Sequence, residues 1–77
     1  MQKVYVETTI KIDKNGKIRP LSIKWEDGHI FKIDKIIDTR NAASTKVGGC
    51  GIRYTIRIKG NETYLFSEDN KWFVEAK

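Results

Sequence analysis

One cysteine, one proline and one histidine in 77 residues close several classes of explanation at once. Cys50 has no second cysteine to pair with, so an internal disulfide is excluded and a reducing compartment is expected. One Cys and one His, His29, cannot form a structural zinc site. Asp34, Asp38, Glu68 and Asp69 lack the spacing of a calcium loop. No metal and no cofactor is expected. No apolar run approaches the ~20 residues that span a bilayer, and Met1-Gln2-Lys3-Val4 lacks the apolar run of a signal peptide. The expected location is therefore the cytoplasm. The chain also lacks charge blocks, low-complexity tracts, internal repeats and linker-like segments.

Seventy-seven residues make a single domain, residues 1–77. A chain this short buries only about 60% of its unfolded surface, so its core is thin. The 39% hydrophobic and 32% charged fractions suit a globule rather than a disordered tail. Fifteen Lys and Arg against ten Asp and Glu leave a net charge of +5, which favours contact with polyanions.

The strongest organising signal is alternation. Val4, Val6, Thr8, Ile10 and Ile12 share one face of a strand; Lys3, Tyr5, Glu7, Thr9, Lys11 and Asp13 share the other. A three-residue loop at Lys14-Asn15-Gly16 pairs Ile12 with Ile18 and keeps apolar against apolar. Pro20 has no N–H to give a ladder, so it marks an edge or a break. A similar loop at Glu26-Asp27-Gly28 pairs Trp25 with His29, Ile23 with Phe31 and Leu21 with Ile33. Beyond Ile33 the phase shifts, because Ile36 and Ile37 are adjacent; a bulge near Lys35 or a helical turn over 34–43 accounts for it, and a bending strand is expected. Asn41 to Gly51 reads as a loop of small residues. Two-residue turns at Gly60-Asn61 and Asp69-Asn70 close the last hairpins, with Lys59 opposite Glu62 and Glu68 opposite Lys71. Strands are expected at 3–13, 17–25, 29–38, 52–59, 62–68 and 71–75. Together they specify an all-β fold, a small six-stranded antiparallel barrel, SH3-like. An OB-fold fits less well, because no clear helix stands between its third and fourth strands.

These registers give the last three strands two faces. Ile52, Tyr54, Ile56, Ile58, Leu65, Trp72 and Val74 form a core face. Arg53, Thr55, Arg57, Tyr64, Phe66, Phe73 and Glu75 form the other, with Phe66 opposite Phe73 and Arg57 opposite Tyr64. Aromatic rings beside arginines suit the stacking of bases and the neutralisation of phosphates. The same rings, if covered, would form a second small core with the arginines at its rim. Arg53, Arg57, Tyr64, Phe66 and Phe73 are therefore the candidate nucleic-acid-binding residues. Trp25 either lines a groove of the kind that binds peptides or plugs one end of the barrel.

No enzyme constellation is present. Gly48-Gly49-Cys50-Gly51 lacks the Gly-Lys-Ser/Thr of a phosphate loop and a following helix. Cys50 as a nucleophile or thiol sensor would need a positioned base, and His29 is remote in sequence. Glu26-Asp27 and Glu68-Asp69 sit in turns, where Asp caps the backbone.

The pattern Trp25-x-Asp27-Gly28-x-x-Phe31-x-Ile33-Asp34-Lys35, then Gly51-Ile52-Arg53-Tyr54-Thr55-Ile56-Arg57-Ile58, then Tyr64-Leu65-Phe66 and Trp72-Phe73-Val74-Glu75 resembles a family of small uncharacterised proteins from Gram-positive bacteria. Some of that family are encoded near translesion (UmuC-like) polymerase genes. The resemblance covers about residues 4 to 75, and its motifs are fold-forming rather than catalytic. It implies a DNA-related accessory role and carries over no functional residue. The expected function is a non-enzymatic binding or adaptor module that contacts nucleic acid through the basic and aromatic face. The alternative is a protein-interaction module using an edge strand or a Trp-lined groove. Salt separates the two, since phosphate-driven binding weakens steeply with it.

Overall fold

Turn chemistry and alternation place most of the strands, and two bends decide how they assemble. The computed structural model describes residues 2–41 and 51–76. Among them are eight strands and no helix: β1 (Gln2–Tyr5), β2 (Glu7–Ile12), β3 (Ile18–Lys24), β4 (Ile30–Lys32), β5 (Lys35–Asn41), β6 (Gly51–Ile58), β7 (Asn61–Glu68) and β8 (Lys71–Ala76). They form two antiparallel sheets, one in the order β1-β8-β7-β6-β5 and one in the order β2-β3-β4.

The expected closed, six-stranded barrel is corrected to two sheets and eight strands. The first expected strand leaves its ladder at Val6, where β1 passes into β2 in the other sheet. Val6 N–H donates to the Trp72 carbonyl at 2.9 Å and anchors that bend. The third expected strand breaks in the same way at Ile33 and Asp34, where Asp34 N–H donates to the Arg57 carbonyl at 2.8 Å. Val6 and Ile33 are buried at these bends, so packing holds the chain where it switches sheets.

The early hairpin registers follow the sequence. Ile12 pairs with Ile18 and Ile23 with Phe31, and Gly16 and Gly28 take the positive φ values of 85° and 92° that these turns require. Pro20 is buried in β3 beyond its last pair with β4, opposite Ile10 and beside a bulge. The 34–43 ambiguity resolves to strand as far as Asn41, with the bulge at Ile37 rather than at Lys35; Ala42 and Ala43 lie outside the described residues.

The penultimate turn differs from expectation. Lys59 and Gly60, not Gly60 and Asn61, are its central residues, with φ of 51° and 80°. The reason is tertiary: the Asp34 carboxylate accepts the Lys59 N–H at 2.9 Å and holds the lysine in the left-handed region. Arg57 consequently pairs with Glu62 and Ile58 with Asn61. A shift of two residues in pairing leaves every side chain on its expected face. The Asp69-Asn70 turn is where the sequence puts it, with Glu68 opposite Lys71.

The core lies between the sheets. Val6, Ile23, Ile33, Tyr54, Ile56, Leu65 and Val74 form it, with Ile56 and Leu65 fully buried; Phe31, Trp25 and Trp72 pack against it half-buried. Ile10 and Ile12, on the strand face that alternation assigns with Val6, are 36% and 60% exposed. The far end of the β2–β3 hairpin thus carries its apolar face out of the packed region.

Candidate functional site

The outer face of the larger sheet assembles the sequence candidates but does not present them as expected. Arg53 pairs with Phe66, and Phe66 with Phe73, which pairs with Tyr5. Phe66 and Phe73 stack with centroids 5.2 Å apart and planes 8° apart. They are 5% and 0% exposed. Tyr5 meets Phe73 edge-on at 5.5 Å, and the Lys3 ammonium lies 4.7 Å above the same ring. The two phenylalanines therefore form a second small core and offer no open ring to a base. Of the two readings the sequence left open for these rings, the structure shows the covered one, and Phe66 and Phe73 are not accessible as candidate binding residues. The physical cause is size: a domain this small uses its large side chains for burial, and Tyr5, Tyr64 and the Lys3 ammonium close around the stacked pair.

Tyr64 is 48% exposed, but its ring is engaged by Arg53, whose guanidinium carbon is 4.6 Å from the centroid. Arg53 Nε is buried with no hydrogen-bond partner among the described residues. Three ion pairs take up part of the charge on this face, while Lys35, Lys71 and Glu75, which register also places there, are in none among the described residues. Arg57 Nη2 is 3.5 Å from Glu62 Oε2, Arg40 Nε is 2.7 Å from Asp38 Oδ2, and Lys3 Nζ is 3.5 Å from Glu68 Oε1. The Arg40 hydrogen bond holds the Asp38 carboxyl below the ordinary Asp range.

The outer face of the three-stranded sheet differs. Register places Lys11 beside Arg19 on it, with Lys24 opposite Glu7 and Lys32 opposite Ser22. Lys11, Lys17 and Arg19 surround one concavity of about 190 Å³ with Asp13. All five cations are exposed, and none is in an ion pair among the described residues. Asp13 offsets part of the charge of Lys17 and Arg19, while its Oδ1 accepts the Lys17 N–H at 2.9 Å and the Asn15 N–H at 2.8 Å and so closes the turn. The Lys17 N–H, then that of Asn15, and the nearby cations hold the Asp13 carboxyl below its ordinary range. Reading the chain for aromatics beside arginines missed this surface. Its signal was available in the outward set of the first strand and in Arg19, Lys24 and Lys32.

A third feature is a groove of about 460 Å³ between the sheets, walled by Trp25, Ile23, Phe31, Ile58 and Val74. Trp25 therefore lines an open groove while packing on the core, rather than plugging a barrel end. His29 is held at the turn by Asp27, with Nδ1 2.8 Å from Oδ2, and its ring stacks on Phe31. Cys50 and its neighbouring glycines 48 and 49 lie outside the described residues. No cluster of three or more His, Cys, Asp or Glu with metal-ligand proximity occurs among the described residues, and no helix there is long and apolar enough to cross a membrane.

The fold and its surfaces define the class as a small all-β domain of two antiparallel sheets. Comparison with protein-family models, with curated proteins and with solved structures found no match.

Proposed function

We propose that the protein is a non-enzymatic binding module that contacts nucleic acid through the outer face of the three-stranded sheet. The observation that carries this reading is the set of five exposed cations, Lys11, Lys17, Arg19, Lys24 and Lys32, none of them in an ion pair among the described residues. Unpaired cations release the counterions of a phosphate backbone on contact without first breaking internal ion pairs. The face has few aromatics for stacking, so contact is with phosphates and tolerates sequence. The resemblance to small proteins encoded near translesion polymerases supports a DNA-related accessory role. In this reading the path of the two bent strands is that of an SH3-like barrel left open.

The test is a fluorescence titration of a labelled single-stranded oligonucleotide at several salt concentrations. Affinity should fall linearly on a log–log plot, and Arg19→Ala should lower the slope by roughly 0.7 if it contacts one phosphate. Absence of binding at low salt by folded protein overturns the proposal.

A further inference from the structure

Strands β7 and β8 begin as a hairpin and then part. Their pairing runs from Glu68 with Lys71 to Phe66 with Phe73 and stops. Beyond it, residues 61–65 of β7 pair with β6 alone, and residues 74–76 of β8 pair with β1 alone. In an antiparallel ladder, alternate residues turn their N–H and C=O to opposite sides. The Val6 N–H bond to the Trp72 carbonyl sets the phase on β8: Trp72 and Val74 turn to β1, so Phe73 and Glu75 turn to β7. On β7 the same alternation from Phe66 turns the main chain of Tyr64 and Glu62 toward β8. Backbone donors and acceptors from both strands thus face a gap that no described strand fills.

The apolar groove opens at this fork, with Thr63 and Val74 among its lining residues. Free strand edges beside an apolar groove match one kind of ligand, an extended peptide that adds to the sheet. A helix or a small apolar molecule would fill the groove and leave the edges unsatisfied. The charge of the wall narrows the choice. Two charged residues line the groove: Glu75, whose side chain alternation from the buried Val74 places on the outer face with Lys3, and Lys59, whose ammonium lies 5.5 Å above the Phe31 ring and is in no ion pair among the described residues.

We propose that this fork binds an extended, acidic segment of a partner protein as an added strand on β7. A bulky apolar side chain of that segment sits against Trp25, Phe31 and Ile58, and a neighbouring carboxylate meets Lys59. This site is separate from the nucleic-acid surface and does not depend on it.

The experiment selects a random peptide library on the intact protein and titrates one enriched synthetic peptide. Enrichment of a bulky apolar residue next to an acidic one is expected. Bound peptide should protect the Tyr64 and Glu62 amides from hydrogen exchange, which the free protein leaves open. Methylating alternate backbone nitrogens of the peptide should abolish binding in one of the two frames. Trp25→Ala should weaken binding roughly 10–100-fold. Lys59→Glu, in an exposed turn, should switch the selected peptides from acidic to basic, which keeps the test valid if the tryptophan variant fails to fold. No enrichment, binding that tolerates methylation in both frames, or selection unchanged by Lys59→Glu overturns the proposal. Protection of the fork amides that rises with protein concentration alone would also overturn it, in favour of a second copy of the chain.

Discussion

The two outer faces of this molecule carry similar residue types and pair them to different extents. On the five-stranded sheet, arginines and a lysine are spent internally, against Glu62, Asp38, Glu68 and the rings of Tyr64 and Phe73. On the three-stranded sheet, the cations face solvent and are in no ion pair among the described residues. A count of charges cannot separate the two faces. What separates them is the large aromatic pair: Phe66 and Phe73 must be covered, and covering them draws in the long side chains around them.

The largest effect tests whether the outer aromatic pair is truly core. Phe73→Ala should cost about 3–5 kcal/mol, comparable to Leu65→Ala at about 2–5 kcal/mol, because both side chains are fully buried although they lie on opposite faces of one sheet. Thermal or urea melts of both variants check it. A Phe73 variant that melts like the parent would break the comparison and return that face to the solvent.

A second effect contrasts the two faces in binding. Charge reversal of Lys11 and Arg19 together should remove most oligonucleotide affinity at low salt, whereas Arg57→Ala should change it little, since Arg57 already has Glu62 as partner. Equal losses from both would show that internal pairing does not withhold a cation from phosphate.

A third concerns the turn that tertiary contact displaced. Asp34→Ala removes the acceptor that holds Lys59 at positive φ and should cost about 0.5–1.5 kcal/mol. Urea denaturation measures it. Unchanged stability would mean that Gly60 alone sets the turn.

The smallest effect is in pH. Asp13, Asp27 and Asp38 are held below the ordinary Asp range, the first by the backbone N–H of Lys17, the second by that of His29 and the third by the Arg40 side chain. A depressed carboxyl contributes stability that is complete above the unfolded value of about 3.9 and lost as pH falls through the folded value. Melting temperature should therefore decline below about pH 4, and replacing all three with Asn should flatten that decline. A slope unaltered in the triple variant would assign acid sensitivity to other groups.

The sequence by itself determined the strands, most turns and the two-faced character of each strand. It could do so because alternation and turn glycines act over a few residues: Ile12 against Ile18, Ile23 against Phe31 and Phe66 against Phe73 all follow from local spacing. It also separated the core face of β6 to β8 from the outer one, a division that survived the shifted turn because pairing moved by two. Only the tertiary structure decided where long strands bend between sheets, since the bonds from Val6 to Trp72 and from Asp34 to Arg57 join residues far apart in the chain. It alone decided that Lys59 would enter the turn, that Ile10 and Ile12 would emerge from the core, and that Phe66 would be covered. Burial and ion pairing depend on what lies across from a residue, and no local pattern records that.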